Sequence, residues 1–193
     1  MVSINELAEL DETPSDYVIV GSGKTATDGI VWLLNNAVPP ERIIWIRPRD
    51  PWMLNRAVVQ PDPVVAFELG ASTFGAAAEA ESPDDLFLRL EDAGVMFRID
   101  SEVTPTMAKT PTLGTWELDL LRTVERVVRL GHIEHVARRE IVLQGGSVSL
   151  PEGSLIVHCA ASGLRNPPLT SIWMPDASRL QTIRPGFPSF NAA

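Results

Sequence analysis

One cysteine, Cys159, is all the chain has, so an internal disulfide is excluded. Basic clusters are missing too. Lys and Arg total 16 against 25 acidic residues, a net charge of −9, which argues against a nucleic-acid surface. No apolar run approaches a bilayer span, and the N-terminus has neither the basic stretch nor the apolar core of a secretion signal. A membrane partner is therefore not expected, and a lone thiol without a leader implies the reducing cytoplasm. Histidine is scarce. His132 and His135 are three apart in a predicted strand, where they point to opposite faces, and no Cys/His cluster completes a tetrahedral metal site. His158 and Cys159 are strand neighbours that face apart, so they are no catalytic pair, and Cys159 reads as a buried apolar residue.

What remains is the composition of a globular protein, 45% hydrophobic and 21% charged over 193 residues. That is enough for one domain, or for one domain with an incomplete neighbour. Its most informative stretch is 17–28. A short apolar strand, Tyr17–Val20, runs into Gly21-Ser22-Gly23-Lys24-Thr25-Ala26, and an apolar-faced helix follows. In that context Gly-x-Gly-x-x-Ala signals a dinucleotide-binding βαβ unit. Gly21 permits the tight turn, Gly23 lets the backbone approach a pyrophosphate, and Ala26 lets helix and strand pack closely. The helix N-terminus offers N–H groups and a positive dipole end to the phosphates. Lys24 can reach a phosphate or remain a plain exposed lysine. Thr25 and Thr27 can donate to phosphate or cap the first turn. Gly-Ser-Gly-Lys-Thr also mimics a P-loop, but a P-loop needs its first glycine at position 18, which is Val18 inside the strand.

The spacing predicts a helix from Lys24 to Asn36, stopped by Pro39-Pro40, and a second buried strand at Ile43–Ile46. Residues 1–16 read as a linker. Residues 48–114 read as a largely helical insertion, with helices over Pro63–Ala80 and from Ser82 to Gly94 and a loop over Thr104–Thr112. A further helix is expected from Thr115 to Leu130. Short strands then follow at Ile133–Val136, Glu140–Leu143, Ser147–Leu150 and Leu155–Cys159. The expected fold class is α/β: a Rossmann-like dinucleotide-binding domain over 17–164 with a parallel sheet, a helical insertion and a small β-meander.

The second strand ends in Arg47-Pro48-Arg49. Where it meets the adenosine ribose, a carboxylate favours NAD and an arginine favours the 2′-phosphate of NADP. No Asp or Glu stands at 43–49, so Arg47 and Arg49 point to NADP(H). The competing reading makes them a solvated loop pair. Trp52, just past them, is the tryptophan expected to line the cofactor.

These segments resemble a known family. Val20–Asp28, Ile30-Val-Trp-Leu-Leu34 and Ile44–Arg49 are similar to the NADP-binding segment of FAD-dependent oxidoreductases related to flavin-containing monooxygenases. Ala160-Ala-Ser-Gly-Leu164 is similar to that family's Ala-Thr-Gly-type turn, with Ser162 where Thr is usual. The resemblance covers 17–50 and, more loosely, 155–193. It implies a domain that holds NADP(H) for hydride delivery to FAD. Such enzymes carry an earlier FAD-binding glycine motif, whereas this sequence has one Gly-x-Gly-x-x-Ala with 20 residues before it. The expectation is a fragment or reduced form of such an enzyme, inactive alone, with 165–193 a partial return segment toward the missing flavin domain. The alternative is a non-catalytic dinucleotide-binding sensor or interaction module.

Overall fold

The structure is a computed structural model that describes residues 1–108, 110–160, 171 and 173–178. It divides into two compact units, 1–161 and 162–193. In the second, the described residues form one hairpin, β12 (Trp173–Met174) paired antiparallel with β13 (Ala177–Ser178). Residues 161–164 of the expected return turn, and most of 165–193, lie outside the described residues.

The first unit runs β1 (Val2–Ser3), β2 (Tyr17–Val20), α1 (Lys24–Asn35), β3 (Ile43–Ile46), β4 (Met53–Asn55), α2 (Pro63–Glu79), α3 (Pro83–Asp92), β5 (Met96–Phe97), β6 (Thr112–Leu113), α4 (Thr115–Leu121), β7 (Val127–Val128), β8 (Ile133–Ala137), β9 (Glu140–Leu143), β10 (Gly146–Ser149) and β11 (Leu155–His158). The central sheet has the order β1-β11-β2-β3-β7, with every neighbouring pair parallel. All four residues of β2 and all four of β3 are buried, as inner strands covered on both faces require.

Alternation along the strands divides the core between two faces. Tyr17, Ile19, Ile43, Trp45 and Val157 pack with Ala26, Ile30 and Leu33 of α1 and Leu118 and Leu121 of α4. Val18, Val20, Ile44, Ile46 and Ile156 face the other way, against Ile141, Leu143 and Leu150. The β8–β9–β10 meander supplies that second cover, and β11 returns from it into the sheet beside β2. The α/β Rossmann-like fold expected from sequence is therefore present, meander included.

Three local expectations differ. Residues 1–16 do more than connect: Val2 and Ser3 pair with Val157 and His158, and Leu7 is buried in the core. The expected helix Thr115–Leu130 stops at Leu121. Thr123, Val124, Val127 and Val128 are β-branched, and Val127 and Val128 pair instead with Trp45 and Ile46. Within the expected loop Thr104–Thr112, the end at Thr112 joins β6, which pairs with β4.

The insertion has its own small core. Asp62 caps α2 by accepting from the Val64 N–H, and Ser82 caps α3 by accepting from the Asp85 N–H. Trp52 stacks on Phe87 with ring centroids 5.2 Å apart, inside a cluster with Leu90, Val95 and Met96. Trp52 is thus a core residue of the insertion rather than a cofactor lining.

Candidate functional site

The two motif glycines have different jobs. Gly21 has φ +132°, and a Cβ there would lie 2.8 Å from the Cys159 carbonyl oxygen. The end of β11 therefore requires glycine, as does the turn. Gly23 is the N-cap of α1 in extended conformation, and a Cβ there would meet nothing within 4 Å among the described residues.

Among the described residues no side chain caps α1. The Ala26 and Thr27 N–H groups return to the Gly23 carbonyl, which leaves those of Lys24 and Thr25 without an acceptor among the described residues. Ala26 is fully buried against the sheet and Ser22 is buried in the turn, while Thr25 is exposed. Thr27 is committed elsewhere, since its Oγ1 donates to the Lys24 carbonyl at 2.9 Å.

Beneath this loop lies Trp45, whose Nε1–H donates to the Gly21 carbonyl oxygen at 2.7 Å. Trp45, not Trp52, is the tryptophan that supports the glycine turn. Sequence reasoning missed it because β3 reads as a uniform apolar run.

The Lys24 ammonium bonds Asp28 and lies 3.2 Å from Glu117 Oε1. Glu117 is almost fully buried. It accepts from the Gly114 N–H at 2.6 Å and pairs with Arg56 at 3.0 Å. Burial pushes its carboxyl up, but the Gly114 N–H, Lys24 and Arg56 outweigh that and hold it below the ordinary value of 4.5. Glu117 thereby ties α1, the insertion and α4 together at the loop. Neither Glu117 nor Arg56 belongs to a motif, so no local signal marks them.

The arginines after β3 part company. Arg47 is 1% exposed. Its Nη2 lies 2.9 Å from Asp50 Oδ1, and its guanidinium stacks 4.6 Å over the Trp45 ring. Its Nε and Nη1 are shut off from solvent, with no hydrogen-bond partner among the described residues. Burial lowers its pKa to about 10, against the opposing pull of Asp50. Asp50 also accepts from Arg129 at 3.0 Å, and Arg129 reaches Asp100 at 2.6 Å. Arg49 is exposed, with no ion-pair partner among the described residues. The two arginines thus do not form one solvated pair.

Cys159 is buried and its thiol is pushed up to about 11 by that burial. It is an inert apolar residue at neutral pH. His132 and His135 are both exposed, and among the described residues no group of three His, Cys, Asp or Glu side chains is placed to hold a metal. No described helix is long and apolar enough to cross a membrane.

No family model matches the chain. It is 40% identical over 195 aligned residues to uncharacterized proteins of Mycobacterium tuberculosis and Mycobacterium bovis. The alignment takes in 100% of this chain and 36% of those proteins, so the chain spans little more than a third of their length. A crystal structure of L-lysine 6-monooxygenase from Pseudomonas syringae superposes with a TM-score of 0.34 and 14% identity, over 83% of this chain and 39% of that one. That likeness is too slight to bear on function.

Proposed function

We propose that the chain is the NADP(H)-binding portion of a flavin-dependent oxidoreductase of monooxygenase-like type, inactive by itself. The observation that carries this reading is the open, uncapped N-terminus of α1 in front of Gly23. A pyrophosphate fits there: two N–H groups need acceptors, the dipole end is positive, and no Cβ stands in the way. In the complete enzyme the bound nicotinamide supplies a hydride to FAD. The residues of this chain hold and orient it. Gly21 and Trp45 fix the turn, Gly23 and the first α1 amides receive the pyrophosphate, and Lys24 adds charge beside it. Arg49, the exposed arginine at the end of β3, takes the 2′-phosphate, while Arg47 stiffens that strand end through Trp45 and Asp50. A non-catalytic dinucleotide-binding module is the second reading.

The test is a titration of the purified chain with NADPH, NADH and ATP, followed by tryptophan fluorescence, after an absorbance spectrum. Trp45 under the Gly21 carbonyl is a built-in reporter. Tighter binding of NADPH than of NADH is expected. No flavin absorbance band is expected of this portion alone. Binding of ATP alone, or of none of the three, overturns both.

A further inference from the structure

Helix α2 carries an apolar face that no described residue of its own unit covers. Val64, Phe67 and Phe74 are 63%, 80% and 76% exposed. The opposite face is occupied: Leu69 and Ala76 pack with Leu86 and Phe87 of α3 against the Trp52 cluster. The uncovered residues have a definite spacing. Positions 64, 67, 71, 74 and 78 are Val, Phe, Ala, Phe and Ala, alternating three and four apart. That is the apolar seam of a two-helix coiled contact, and no charge stands on it. A surface helix ordinarily turns a polar face outward.

We infer that this seam pairs with the same seam of a second copy of the chain, running antiparallel about a two-fold axis. The reason is the alternation of large and small residues. One register sets Ala71 against Phe74 of the partner subunit and Phe67 against Ala78 of the partner subunit. The symmetry repeats each contact in reverse, as a two-fold interface requires. Every phenylalanine then fills the space beside an alanine. A parallel pair would stack phenylalanine on phenylalanine and leave gaps between alanines, which overpacks some layers and empties others. Sliding the antiparallel pair until Ala71 faces its own copy has the same fault. Aromatic side chains bury about 150–250 Å² each, so the four phenylalanines bring the pair to roughly 600–1,000 Å², the size of a weak, concentration-dependent contact.

The experiment is sedimentation velocity of the purified chain over a wide concentration range. A concentration-dependent dimer is expected. Phe67→Asp and Phe74→Asp should each abolish it while leaving the circular dichroism spectrum unchanged, because both side chains are exposed in the folded unit. The arrangement is read by oxidative cross-linking of single-cysteine variants in a Cys159→Ser background. A mixture of A71C and F74C should cross-link, and neither variant should do so alone. A chain that stays monomeric throughout, or a dimer that survives both aspartates, overturns the proposal. Cross-linking of A71C with itself overturns the antiparallel register.

Discussion

Trp45 on β3 and Gly21, just past the end of the neighbouring parallel strand β2, are joined by a hydrogen bond from the indole Nε1–H to the Gly21 carbonyl at 2.7 Å, buried from solvent. The bond makes the end of β3 a support for the turn at the end of β2. It also occupies a carbonyl that would otherwise be buried without a partner. Trp45→Phe keeps a ring of similar shape and leaves that acceptor unsatisfied. The expected loss is about 1–3 kcal/mol in urea unfolding, with the midpoint lowered and the slope unchanged. Dinucleotide affinity should fall with it. Unchanged stability would show that the bond contributes nothing net.

Substitution at the two glycines should separate fold from binding. Gly21→Ala forces a side chain into a φ of +132° and against the Cys159 carbonyl. It should cost roughly 2–4 kcal/mol of stability. Gly23→Val meets no described atom within 4 Å of its Cβ, so its melting temperature should stay within a few degrees of the parent. Its NADPH binding should nevertheless be lost, because the new side chain occupies the pyrophosphate position. If G23V binds NADPH as the parent does, the phosphate site is not at α1.

These contrasts show what was legible in the sequence. The β2–turn–α1–β3 unit is local, with strand, glycines, helix and stop signal contiguous, and it reads off correctly. β1 and β7 are two residues each and exist only because distant strands accept them: Val2 needs Val157, and Val127 needs Trp45. Helical periodicity from Leu118 to Val128 therefore misled, since pairing with β3 outweighs local preference. Around the glycine turn, the environments of the side chains were not legible. Arg47 and Arg49 look alike in a row of letters, yet Asp50 and Trp45 bury one and leave the other in water. The network through Glu117 joins positions 24, 56 and 117, a separation that no motif records.

Glu117 should leave a mark on the acid limb of stability. Its folded pKa lies below 4.5, held down by Gly114, Lys24 and Arg56 against the effect of burial. A depressed carboxyl stabilises fully above its unfolded value and loses that contribution as pH falls through the folded one. Stability lost between about pH 5 and the folded pKa should therefore shrink in Glu117→Gln, measured by urea unfolding across pH 2–7. At pH 7 the same variant should be less stable than the parent, and the two should converge at low pH. Parallel pH curves would mean that the carboxylate is not coupled to folding.

The two arginines at the end of β3 should differ in kind. Arg49→Ala removes an exposed charge from an exposed loop, so stability should change little. Losing a charge-assisted contact to a 2′-phosphate costs about 1.5–3 kcal/mol, or roughly 10- to 100-fold in NADPH affinity. NADH, which lacks that phosphate, should bind as before. Arg47→Ala opens a gap over Trp45 and removes one partner of the buried Asp50, although Arg129 still reaches that carboxylate at 3.0 Å. Its main effect should be on stability, with NADPH and NADH affinities falling together. Paired titrations of both variants with both nucleotides, each alongside an unfolding curve, decide the assignment. Selective loss of NADPH in R47A with none in R49A would move the 2′-phosphate contact to the buried arginine, and would mean that Asp50 releases it when the nucleotide binds.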